Sequence, residues 1–129
     1  MNTLWIRIRA YVWGWQVHRR LDDWINSKDP NTIRWITAGP VAVELSRDYR
    51  DTGASITWAV LVYRIHVDYR WRGLGFEAAL LRQIETMAAL QGYLNVVVYG
   101  DDLAAFGEGY RLVRDDMYAK TVSALDLPA

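Results

Sequence analysis

Arg70, Gly73 and Gly75 stand at a spacing, Arg-x-x-Gly-x-Gly, that can hold an anion on main-chain amides. They fall between a β-like run ending at Val67 and a helix-like run beginning at Phe76. Glycines two apart at a strand-to-helix turn let the backbone bend tightly and approach a ligand closely. The first N–H groups of the following helix have no partner within it, and the helix dipole favours negative charge there. Arg64, Arg70 and Arg72 surround the turn against one acid, Asp68. The chemistry these residues imply is the binding of a phosphate or pyrophosphate. It is not a P-loop, which needs Gly-Lys-Ser/Thr, nor the three-glycine dinucleotide fingerprint.

The elements that must position this turn are legible on both sides. Ser55–Val67 is a thirteen-residue run rich in β-branched and aromatic residues, long enough to expect a bulge inside it. Phe76–Gln91 carries Phe76, Leu80, Ile84, Met87 and Ala88 on one helical stripe, with Arg82, Gln83, Glu85 and Thr86 facing away and Gly92 placed to cap the end. Leu94–Tyr99 is a second apolar strand. Strand, helical crossover and strand make a βαβ unit, whose strands pair in parallel.

Upstream, Leu4-Trp5-Ile6-Arg7-Ile8-Arg9 alternates apolar and basic, the period of a half-buried strand, and Val12–Ile25 has helical spacing. One continuous helix over residues 3–26 competes with that reading, because Leu4, Ile8, Tyr11 and Trp15 also fit period 3.6; the strand is preferred. Ser27–Asn31 is a loop, Thr32–Thr37 and Val41–Leu45 are strands, and Asp51-Thr52-Gly53 is a turn. Downstream, Asp101–Phe106 reads as a short helix, and Tyr110–Arg114 with Met117–Ala124 as a β-pair about Asp115-Asp116.

The whole chain, 129 residues with fifteen basic and fifteen acidic side chains, suits one soluble domain and lacks the basic excess of a general nucleic-acid binder. No cysteine means no disulfide and no thiolate chemistry, which fits a reducing compartment. No apolar run is of membrane-spanning length, and the N-terminus lacks a signal-peptide core. Seven tryptophans are many for this length; they are most simply core, whereas an exposed cluster among Trp5, Trp13, Trp15 and Trp24 would mark a partner surface.

Arg70-x-x-Gly73-x-Gly75 resembles the Arg/Gln-x-x-Gly-x-Gly/Ala signature of the GNAT superfamily of N-acyltransferases. Ile65-x-Val67 precedes it at the offset seen there, the helix after it has the same length, and Gly109-Tyr110-Arg111-Leu112-Val113 looks like the entry to that family's sixth strand. The resemblance implies an α+β fold over residues 1–129, with a mixed, mostly antiparallel sheet, a parallel central pair and flanking helices, shortened or divergent before residue 30. It also implies acetyl-CoA as cofactor. Its pantetheine arm would lie on the main chain of Ile65, His66 and Val67, and its pyrophosphate on Arg70, Trp71, Arg72, Gly73, Leu74 and Gly75. The reaction implied is cytoplasmic transfer of acetyl to a primary amine of a small molecule or protein, with no nucleic acid or membrane involved.

Departures from the pattern lie where chemistry is done. Val60-Leu61-Val62-Tyr63 has no carboxylate where the family often carries a basic Glu, and Phe106 is followed by Gly107 rather than Tyr. Candidate catalytic groups are therefore Glu44 as a base through water, His66 as a direct base, and Tyr99 or Tyr118 as an acid. A solvated strand carboxylate, an exposed strand histidine and core-edge tyrosines are the ordinary alternatives. Asp101-Asp102 reads as a helix cap, and no metal-ligand spacing stands out. A second expectation is a GNAT-fold protein with weak or no catalysis, joining a second copy or another protein through its tryptophan-rich N-terminal segment.

Overall fold

The computed structural model describes residues 3–53, 55–100 and 109–123, with side chains described from residue 13 onward. The elements run α1 (Thr3–Ile25), β1 (Arg34–Ala38), β2 (Val41–Asp51), β3 (Ile56–Val67), a 3₁₀ turn (Tyr69–Trp71), α2 (Phe76–Leu90), β4 (Asn95–Tyr99), β5 (Arg111–Arg114) and β6 (Met117–Thr121). The strands form one six-stranded sheet in the order β1-β2-β3-β4-β6-β5. Four of its five pairings are antiparallel, and β3–β4 is the parallel pair at its centre. The expected α+β class, mixed sheet and βαβ unit are all present.

Both described helices cover one face. Trp13, Val17, Leu21 and Trp24 of α1, with Leu80, Leu81, Ile84 and Ala88 of α2, join Val43, Leu45, Val60, Val62, Val96 and Val98 in the main core. The opposite face carries a smaller cluster, Ala59, Leu61, Val97, Met117 and Ala119, flanked by Tyr63, Tyr99 and Val113. At α2's end, Gly92 takes φ 86°, and the amides of Gly92 and Tyr93 return to Ala89 and Ala88, a Schellman closure. No helix among the described residues is long and apolar enough to cross a membrane.

The strand expected at residues 4–9 is instead part of α1, which is helical from Thr3 to Ile25. Alternation has meaning for a strand only where a sheet edge receives it. A helix satisfies its own hydrogen bonds, and the stripe from Trp13 to Trp24 already holds one against the core. Strand β2 runs past Leu45 to Asp51 because its polar tail has cross-strand partners: Tyr49 packs on Trp58 with centroids 4.2 Å apart, and the Arg47 guanidinium lies 4.9 Å from the Trp58 ring. Glu85 does not face away. Only 14% of its side chain is exposed, and it accepts from Lys120 Nζ (2.6 Å) and Tyr110 Oη (2.9 Å), tying α2 to the β5–β6 pair. The expected helix at residues 101–106 lies outside the described residues.

Candidate functional site

The expected bulge falls at Tyr63. Glu44 of β2 opposes Arg64, the next residue Leu45 opposes Val62, and Tyr63 is left without a partner. At the same level β3 stops pairing with β4: the parallel register runs from Ala59–Asn95 to Val62–Val98 and no further. Beyond it a cleft of about 350 Å³ opens, lined by Val62, Tyr63, Arg64, Ile65, Val98 and Tyr99 of the strands, with Glu77 and Leu81 of α2.

Alternation along β3 decides which main-chain groups face that cleft. The Asp68 amide donates to Pro40 O of the β2 side at 2.8 Å, so every second residue back, His66 and Arg64, also turns its backbone toward β2. Ile65 and Val67 therefore present N–H and C=O away from β2. The Val67 carbonyl accepts from Arg72 Nε at 3.2 Å, which fits this orientation. Of the three residues expected to line an extended ligand, Ile65 and Val67 offer their backbone, and His66 spends its backbone on Ala42.

At the open end of the cleft lies the glycine turn. A second hollow of about 240 Å³ is lined by Val67, Trp71, Arg72, Gly73, Gly75, Phe76, Glu77 and Ala78. Gly73 and Gly75 take φ 77° and 84°, in the left-handed region that favours glycine. Helix α2 has no side-chain cap, its first amide bond being Ala79 to Gly75 O, and the amides of residues 73–78 donate to no group among the described residues. This concentrates donors at the positive end of a helix. Arg72 lines the hollow. Arg70 is turned toward Tyr69, its Nε 3.3 Å from that hydroxyl, and Leu74 is exposed. Arg64 stands in the cleft and pairs with Glu44 at 3.6 Å, away from the turn. Glu77 borders both hollows and is the one acid there that opposes an anion.

Aromatic side chains anchor the turn from beneath. Trp13 of α1 donates its indole N–H to Ala38 O at 2.8 Å and meets Phe76 edge-on, centroids 4.9 Å apart; Trp71 meets the same ring at 5.8 Å. At the closed end, Tyr63 and Tyr99 stack across the splay, 5.4 Å apart and within 5° of parallel. Ser46 Oγ is 3.0 Å from Tyr63 Oη, and Arg50 Nε donates to Tyr99 Oη at 3.3 Å. That bond is the largest cause of a raised Arg50 pKa. Trp13, Phe76, Tyr63 and Ser46 all position the site, yet nothing in their spacing marks them, since each acts through a residue distant in the chain.

Register places the candidate catalytic residues Glu44, His66 and Tyr99 on one side of the sheet, opposite α1 and α2, with Glu44 held by Arg64 and His66 exposed. Tyr118 packs against the main core, on the side of the helices. Of the tryptophans in α1, Trp13 and Trp24 are buried and Trp15 is 58% exposed, so no described cluster of them forms an open surface. Among the described residues no group of three or more His, Asp or Glu side chains could hold a metal ion.

No family model matches the sequence, and no curated protein matches it. Solved structures do match in fold. The KacTA–DNA complex aligns at TM-score 0.50 and 14% identity, covering 81% of this chain and 76% of that one. A point mutant of the AtaT toxin, bound to the C-terminus of the antitoxin AtaR and acetyl-CoA, aligns at TM-score 0.48 and 16% identity, covering 63% of this chain and 57% of that one. A point mutant of KacT aligns at TM-score 0.48 and 14% identity, covering 80% of this chain and 75% of that one. This chain thus spans less than two thirds of the AtaT chain. Its fold is GNAT-like, in divergent form.

Proposed function

We propose that this chain is a single-domain, cytoplasmic N-acyltransferase that takes acetyl from acetyl-CoA to a primary amine of a small molecule or protein. One observation carries the reading: the uncapped, amide-rich glycine turn opens into a cleft between two parallel strands that part after Val62 and Val98. A diphosphate would sit on the amides from Gly73 to Gly75 and the first turn of α2, with the Arg72 side chain beside it; the expected amides of Arg70, Trp71 and Arg72 are spent on Asp68 and Tyr69. A pantetheine arm would pair with Ile65 and Val67 as an added strand does. The amine nitrogen attacks the thioester carbonyl, the C–S bond breaks, and sulfur leaves with the electron pair and takes a proton. Glu44 or His66 receives the amine's proton, through water for Glu44, and Tyr99 is the candidate donor to sulfur. The zero formal charge of the chain supports a small anionic ligand rather than nucleic acid.

A calorimetric titration of CoA into wild type, Gly73→Glu and Arg72→Ala tests this, with circular dichroism to check folding. Gly73→Glu sets a bulky negative side chain on the anion site and lowers affinity at least about tenfold, ~1.4 kcal/mol. Arg72→Ala lowers it less and makes it less salt-sensitive, because it removes a charge without filling the site. Wild-type affinity in Gly73→Glu would place the ligand elsewhere.

A second reading, a catalytically silent GNAT-fold protein that docks a second copy or another protein, is favoured by the Glu44–Arg64 pair, which occupies the candidate base. It takes over if wild type binds no CoA at millimolar concentration.

A further inference from the structure

We propose that the stacked Tyr63 and Tyr99 rings are a fixed stop at the closed end of the cleft, restricting the donor to short acyl chains. The proposal rests on the CoA reading above and deepens it by naming the residues that limit the length of the acyl group. A ligand whose diphosphate lies on the glycine turn enters the cleft beside Val67 and runs back along β3. From Val67 to Tyr63 is four residues, about 13 Å at ~3.3 Å per residue, a distance an extended pantetheine arm covers. The thioester then arrives where β3 and β4 close, at Val62 and Val98. On the cleft side of that closure, one ring from each strand, Tyr63 and Tyr99, bridges the gap.

Three features make the stop rigid. The bulge commits Tyr63 to the face where Tyr99 also stands. Ser46, itself 1% exposed, holds the Tyr63 hydroxyl, and Arg50 holds that of Tyr99. Near-parallel stacking leaves no room between rings 5.4 Å apart for an alkyl chain. An acetyl methyl meets the ring edges, whereas each further methylene must displace a ring tethered at its far end. Close-packed rings make room for added methylenes only by leaving their positions, so a longer chain meets strain instead of a site to be buried in.

The test is the affinity of acetyl-CoA, hexanoyl-CoA and free CoA for wild type, Tyr63→Ala, Tyr63→Phe and Tyr99→Ala by calorimetry. Wild type binds hexanoyl-CoA at least about tenfold more weakly than acetyl-CoA. Tyr63→Ala brings the two within about threefold, and Tyr99→Ala, the second route to an open end, does the same. Tyr63→Phe keeps the ring and the wild-type preference. Equal affinities in wild type, or a preference untouched by both alanine variants that still bind free CoA, overturn the stop while leaving the CoA site standing. Failure of wild type to bind free CoA or either ester overturns both.

Discussion

Gly73 and Gly75 are required by backbone geometry rather than by crowding: among the described residues, no heavy atom outside the adjoining residues lies within 4 Å of where a Cβ would stand on either. Their open surroundings distinguish them from Gly109, where a Cβ would come within 3.1 Å of Lys120 Cε. That lysine belongs to a half-buried charged cluster on the helix face, Lys120–Glu85–Tyr110. Burial first, then the charge and hydrogen bond of Glu85, push the Tyr110 phenol well above its ordinary value of 10.0. The folded state therefore keeps this proton when the unfolded chain has begun to lose it. The contribution to stability is complete below pH 10 and is lost as pH rises above that value, at up to ~1.4 kcal/mol per pH unit. Tyr110→Phe should cost about 1 kcal/mol at pH 8 and remove this part of the alkaline slope. Urea unfolding at pH 8, 10 and 11 measures both, and parallel slopes for the two proteins would sink the assignment.

At the scale of elements, α1 supports the glycine turn. Its Trp13 bonds the end of β1 and braces Phe76, the first residue of α2, against which Trp71 also packs. Gly39 has φ 56°, and a Cβ there would come within 3.1 Å of the Trp13 ring, so that corner is also built around the indole. Trp13→Ala should destabilise the fold by about 3–5 kcal/mol, as large-to-small changes in a core do. Where the variant is still folded it should also bind CoA more weakly, because the turn loses its brace. Unfolding and titration of the same samples separate the two effects. Unchanged CoA affinity in the folded variant would show that α1 covers the sheet without shaping the turn.

For the molecule as a whole, the central pair β3–β4 is both the middle of the sheet and the wall of the cleft. A ligand lying between these strands adds contacts exactly where the sheet lacks them, and it binds only the folded chain. At a hundredfold excess over its dissociation constant, CoA should stabilise the fold by about 2.7 kcal/mol, raising Tm by roughly 10 °C for a chain this long. Gly73→Glu should abolish the rise. A scan showing the same shift in both proteins would mean that CoA acts away from the turn.

What the sequence determined by itself is what local chemistry controls. Gly73 and Gly75 at a strand-to-helix junction announced left-handed backbone and free amides, and the stripe from Phe76 to Ala88 with Gly92 after it specified α2 and its end. The length of Ser55–Val67 implied a bulge, and the βαβ order implied a parallel pair. Tertiary structure decided everything that depends on which segments meet. Leu4 to Arg9 alternates like a strand, but the stripe from Trp13 to Trp24 that follows it packs as a helix on the core, and it continues that helix. Glu85 lies on the flank of α2's apolar stripe, and only the β5–β6 pair, far along the chain, gives it Lys120 and Tyr110 as partners. His66 and Val67 are neighbours of equal promise in the sequence, and the register with β2 alone assigns the backbone of one to the sheet and of the other to the cleft. Tyr63 and Tyr99, thirty-six positions apart, face each other only because two parallel strands end their pairing one residue earlier. Local preference acts within a few residues, whereas pairing and burial are settled among all the surfaces the chain offers at once.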